Sequence, residues 1–104
     1  MFLTLTFRDD VLTSTSQNTR RTYVARFLKE QTCDYVANID FGDLRGREHY
    51  HSLYGSEFIN PLAWQYGTCH LEKIRSNPDK IAQYINKITY HSTKDSAGFL
   101  IYSR

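Results

Sequence analysis

The chain has 104 residues, enough for one compact domain and too few for two. A hydrophobic fraction of 40% with 14% aromatics excludes a disordered chain, and no apolar run approaches membrane-spanning length. A net charge of +2 and a pI near 8.6 permit a polyanionic partner without demanding one.

Met1-Phe2-Leu3-Thr4 opens directly into a strand pattern and lacks the charged and apolar regions of a secretory signal. A soluble intracellular protein is therefore expected. Leu3, Leu5 and Phe7 alternate with Thr4 and Thr6, which predicts a first strand. Residues 9 to 18 are polar and rich in Ser and Thr, and read as a loop. Tyr23, Val24, Phe27 and Leu28 recur at helical spacing, with Arg20, Arg21, Arg26 and Lys29 at other positions of that helix. Cys33 and Cys69 stand apart, with no C-x-x-C, and predict two buried thiols in a reducing compartment.

Tyr35, Ala37, Ile39 and Phe41 alternate with Val36, Asn38 and Asp40, giving a second strand. Gly42-Asp43-Leu44-Arg45-Gly46 is turn chemistry. A strand over residues 47 to 54 follows, then an irregular link at 55 to 66 with Gly55, Pro61 and Trp64. A fourth strand is expected from Thr68 to Ile74. Asn77 caps a second helix, with Pro78 at its first position, and that helix runs to about Ser92 on a buried stripe of Ile81, Ile85 and Ile88. A last strand falls near Phe99 to Tyr102, and a chain ending there fits a catalytic domain of a longer protein. The order β-α-β-β-β-α-β predicts an α+β domain over 1–104, an antiparallel sheet with packed helices in the ferredoxin-like or RRM-like group.

Two features carry chemistry. His49-Tyr50-His51 lies in a predicted strand, where alternation sends both imidazoles to one face as a pair of metal ligands. If Gly42 pairs with Arg47 across a four-residue loop, paired positions sum to 89. Asp40 then lies opposite His49 and Asn38 opposite His51, so Asp40, His49 and His51 converge. A one-residue slip would turn Asp40 away. Mixed N and O ligands with open positions suit Mn2+ or Mg2+ acting on a phosphate, without excluding Zn2+. The second feature is Tyr84-Ile85-Asn86-Lys87 on the second helix. Lys80, Tyr84, Lys87 and His91 form one stripe there, beside the buried isoleucines. A free tyrosine, with a pKa of about 10, is a poor nucleophile; nearby lysine charge and a polarised phosphate would both help it attack. The competing structural reading makes the histidines ordinary sheet residues and Tyr84 a boundary packing residue.

Together these residues resemble the HUH endonuclease superfamily, and within it the single-tyrosine rolling-circle replication initiators of plasmids and single-stranded DNA phages or viruses. Phe2-Leu3-Thr4-Leu5-Thr6-Phe7 is similar to the family's first-strand motif. Asp40-Phe41-Gly42 with Gly46-Arg47-Glu48-His49-Tyr50-His51 resembles the metal motif, and Tyr84-Ile85-Asn86-Lys87 resembles the Y-x-x-K motif. The chain departs from the family in Tyr50, where aliphatic residues are common, and in Asp40, where glutamate is more frequent. The resemblance implies a divalent metal on Asp40, His49 and His51 and attack by Tyr84 on a phosphate of single-stranded DNA at an origin or hairpin. It also implies a 5′-phosphotyrosyl link with a free 3′-hydroxyl, and Lys87 positioning the phosphate. No Walker pattern is present, so unwinding is expected to come from a missing domain or from the host. A host helicase and polymerase are expected partners, in the cytoplasm of a prokaryotic host, with a monomeric domain and no membrane. Arg20, Arg21, Arg45, Arg47, Lys73 and Arg75 are candidate phosphate contacts, and Trp64 or Tyr66 candidate stacking platforms for unpaired bases. Two alternatives remain open: a single-tyrosine HUH transposase or relaxase, and a non-catalytic RRM-like module binding single-stranded nucleic acid.

Overall fold

Leu3 and Leu5 turn to one side of the first strand and Phe2 and Thr4 to the other, and this alternation divides the molecule into two unlike faces. The computed structural model describes residues 1–31, 34–41, 47–55, 59–74, 79, 80, 82–84, 86, 101 and 102. Its elements are β1 (Phe2–Leu5), α1 (Asp9–Ser14), α2 (Gln17–Glu30), β2 (Tyr35–Asp40), β3 (His49–Tyr54), a 3-10 turn (Pro61–Ala63), β4 (Cys69–Glu72) and β5 (Ile101–Tyr102). Residues 79, 80, 82–84 and 86 are helical. The expected isoleucine stripe, the caps Asn77 and Pro78, the turn at 42–46, Cys33 and Lys87 lie outside the described residues.

The strands form one sheet in the order β4-β1-β3-β2-β5, with every described pairing antiparallel. β1 and β2 are therefore parallel, joined through the helices and separated by β3. This is the split β-α-β arrangement of a ferredoxin-like core, as the sequence order predicts. The last strand is present as a short pairing of Ile101 and Tyr102 with Ala37 and Val36. No helix among the described residues is long and apolar enough to cross a membrane.

One face of the sheet is an ordinary core. Leu3, Leu5, Ala37, Ile39 and Tyr50 pack there with Val24, Phe27 and Leu28 of α2, and with Phe7, Val11 and Trp64. Each fully buried aliphatic side chain contributes about 1.5–3 kcal/mol of transfer free energy. The opposite face carries Phe2, Val36, Leu53 and Tyr84 in a smaller cluster, beside a group of buried polar side chains.

The polar stretch 9 to 18 is not a loop. Asp9 and Asp10 occupy the first turn of α1, where carboxylates complement the helix dipole, and Thr13 Oγ1 donates to the Asp9 carbonyl at 3.0 Å. Ser16 then caps α2, its side chain accepting from the Thr19 amide at 3.2 Å. Hydroxyl and carboxylate side chains here satisfy helix ends, a role that composition alone does not separate from a loop.

Arg20 also departs from expectation. It is not a solvated phosphate contact: it lies on the buried stripe of α2, only 8% exposed, one turn before Val24. Its Nε and Nη2 donate to the two carboxylate oxygens of Glu48 at 2.8 and 2.9 Å. Its Nη1 donates to the carbonyls of Leu12 and Thr15, at 3.3 and 2.5 Å. The hydrogen bonds to Glu48 raise the guanidinium pKa above its ordinary value against the cost of burial. The pair fastens α2 and the α1–α2 corner to the residue just before β3.

A buried pair is costly to break and inexpensive to replace as a whole. Arg20→Met, which strands the Glu48 carboxylate, is expected to lower stability in urea melts by about 3–5 kcal/mol. The double variant Arg20→Met/Glu48→Met is expected to recover most of that loss. Equal losses in the single and double variants would show that the pair is not a coupled unit.

Candidate metal centre

The antiparallel register of β2 and β3 sets Asp40 opposite His49 and Asn38 opposite His51, as the count of 89 predicts. β3 is central, flanked by β1 and β2, so its two histidines lie on an interior strand. Asp40, His49 and His51 are all buried, and one ligand atom from each lies within 4.8 Å of the others. Asp40 Oδ2 is 3.0 Å from His51 Nε2 and 3.5 Å from His49 Nε2. The two imidazoles meet edge to face, with centroids 4.9 Å apart.

The outer nitrogens decide what the inner ones offer. His49 Nδ1 lies 2.9 Å from the Arg47 carbonyl. A carbonyl only accepts, so Nδ1 carries the proton and the neutral ring presents a bare Nε2 to Asp40. That Nε2 is buried and meets no hydrogen-bond partner among the described residues. A lone pair and a carboxylate facing each other out of water call for a cation between them. His51 is held differently, because its Nδ1 lies 3.2 Å from Thr4 Oγ1. A hydroxyl can donate to Nδ1 while Nε2–H points at Asp40, and can accept from Nδ1–H once Nε2 is bare. The donor set of two imidazoles and one carboxylate fits a divalent metal ion, and its outer partners fix one ring and leave the other adaptable.

Tyr84 packs on this same face. Its ring is buried and stacks on Phe2 at 4.8 Å and 28°, and the Phe2 ring stacks in turn on His51 at 5.3 Å and 20°. One aromatic ring thus separates the helix tyrosine from a sheet histidine. Phe2 and Thr4 are the residues that sequence reasoning missed here. Their signal is register: Thr4 pairs with His51, and Phe2 shares that face two residues away.

Tyr50, between the histidines, faces the opposite side and packs edge-on against Phe7 at 6.2 Å. Burial pushes its phenol well above the ordinary tyrosine range, with the Glu48 charge acting in the same direction. An aromatic residue at this position therefore fills the core and leaves the histidines undisturbed. Cys69 is half-buried and free, and burial raises its thiol to about 11.

The proposed DNA contacts separate on inspection. Trp64 is core, 4% exposed, with its Nε1 donating to the Thr6 carbonyl at 3.0 Å. Tyr66 stacks flat on Tyr23, with centroids 4.0 Å apart. Arg47 Nη2 donates to the Phe7 carbonyl at 2.7 Å, and its Nη1 pairs with Asp9 at 2.5 Å. Arg21 is half-buried and Lys73 exposed, while Arg45 and Arg75 lie outside the described residues.

Residues 1–89 match the model of the replication-associated protein ORF2 family. No curated protein and no solved structure matches the chain significantly. The matched span includes Asp40, His49, His51, Tyr84 and Lys87.

The placement of Trp64 has a direct consequence. Trp64→Phe is expected to cost about 1–3 kcal/mol through the lost bond to Thr6 and the smaller ring. It is expected to leave affinity for single-stranded DNA, measured by fluorescence anisotropy on the folded variant, unchanged. A marked fall in affinity would return Trp64 to the nucleic-acid surface.

Proposed function

Because the chain belongs to the replication-associated protein ORF2 family, we propose that it is a replication initiator that nicks and rejoins single-stranded DNA by tyrosine attack at a metal-bearing site. The observation that carries this reading is the buried convergence of Asp40, His49 and His51 on the face where Tyr84 packs. An RRM-like binding module has no need for two imidazoles and a carboxylate facing one another out of water.

In this reading Asp40, His49 and His51 hold Mn2+ or Mg2+, which supplies Lewis acidity at the scissile phosphate. Tyr84, seated by stacking on Phe2, gives its hydroxyl proton to water and attacks phosphorus. The phosphorus–O3′ bond breaks, the departing 3′-oxygen takes up a proton from water, and the 5′ side stays attached as a phosphotyrosyl ester. The free 3′-hydroxyl serves as a primer for a host polymerase, with a host helicase opening the duplex. Attack by another 3′-hydroxyl on the tyrosyl phosphate reverses the reaction and rejoins strands. The ester conserves the energy of the broken bond, so no nucleotide cofactor is required. Lys87 carries the role that the resemblance implies for it, positioning the phosphate and stabilising the charge that develops during transfer.

The test is a denaturing gel of the protein incubated with Mn2+ and single-stranded DNA spanning candidate origin sequences. A covalent adduct is expected, abolished by chelator, by His49→Ala and by Tyr84→Phe, and formed about 100-fold more slowly by Lys87→Ala. An adduct that persists in Tyr84→Phe would overturn the assignment of the nucleophile.

A further inference from the structure

Four contacts converge on the two residues that precede β3. The Arg47 side chain reaches back to the β1–α1 junction, donating to the Phe7 carbonyl at 2.7 Å and pairing with Asp9. The Glu48 side chain points the other way, into the buried fork of Arg20 on α2. Between them, the Arg47 carbonyl accepts from His49 Nδ1 at 2.9 Å. The peptide that holds the imidazole is thus anchored by its own side chain and by the next one.

We propose that Arg47, Glu48 and Arg20 act as positioning residues for His49, fixing the Arg47 carbonyl so that the imidazole presents Nε2 to the centre in one tautomer and one direction. This inference rests on the metal-centre reading above. It is specific to His49, because His51 is held by a rotatable Thr4 hydroxyl that suits either tautomer. A backbone carbonyl has no such freedom. Its position is only as fixed as the segment that carries it, and that segment lies outside the pairings of β3 with β1 and β2.

The anchors differ in strength. Asp9 is well exposed and Arg47 partly so, so their ion pair contributes little, and the bond to the Phe7 carbonyl is the firmer part. The Arg20–Glu48 pair is buried and bidentate, and supplies most of the constraint. A purely structural pair is replaceable by packed apolar side chains, whereas a directional one is not. The variants Arg20→Met/Glu48→Met and Arg47→Met separate the two roles.

The experiment reads His49 in two ways on variants whose folding is verified by circular dichroism. The first readout is the 15N shifts of the His49 ring at neutral pH without metal. The unaltered protein is expected to show the Nδ1–H tautomer, and the double-methionine variant a mixture, while its urea midpoint stays near normal. The second readout is Mn2+ affinity by calorimetry, expected to fall about 10-fold in the double variant and less in Arg47→Met. Arg47→Lys, which keeps a donor toward the Phe7 carbonyl, is expected to recover affinity. An unchanged tautomer together with Mn2+ affinity within twofold of the unaltered protein would overturn the proposal. Should the double variant fail to fold, Arg47→Met decides by the same two readouts. If the unaltered protein binds no Mn2+, the metal-centre reading is what fails, and the tautomer alone decides this inference.

Discussion

The pairing of β2 with β3 is the constraint on which the rest of this structure depends. Side chains alternate along a strand, so the register that sets Asp40 against His49 also sets Asn38 against His51 and brings all four to one face. Shifting it by one residue would move the histidines opposite Ala37 and Ile39, whose side chains face α2. The register is protected by the core it builds. Ala37, Ile39 and Tyr50 are fully buried on the far face, and a slip would place Asn38 and Asp40 in that apolar layer. The hydrophobic face thus determines the geometry of the polar one.

The two faces then divide the work. One is a conventional core under α2, with Trp64 closing its rim and Arg20 tying the helix to the start of β3. The other holds a buried carboxylate and two imidazoles, with Phe2 as an aromatic bridge from His51 to Tyr84. Buried polar groups of this kind work against stability unless something compensates them. His49 Nε2, buried and bare beside a carboxylate, marks where the compensation is incomplete among the described residues.

Much of this was legible in the sequence because it rests on short-range rules. Strand alternation and a short turn were enough to derive the register, and with it the triad of Asp40, His49 and His51. The ferredoxin-like order followed from the succession of strand and helix patterns. What was not legible rests on tertiary partners. Arg20 reads as a surface cation, although its spacing to Val24 and Phe27 places it on the buried stripe; only Glu48, which sequence reasoning passed over, makes that burial tolerable. The stretch 9 to 18 reads as a loop because Ser, Thr and Asp serve both loops and helix caps. Trp64 sits in an irregular link without periodicity, so its role in the core depends on Phe7, Phe27 and the Thr6 carbonyl across the fold.

The central claim is that Asp40, His49 and His51 hold one divalent ion on the face that Tyr84 shares. Anomalous diffraction from crystals soaked in Mn2+ tests it most directly. The account predicts a single strong manganese peak about 2.0–2.3 Å from an Asp40 carboxylate oxygen and from the Nε2 atoms of His49 and His51. A crystal saturated with Mn2+ that shows no peak there, or shows Nε2 of His49 turned away from it, would contradict the account.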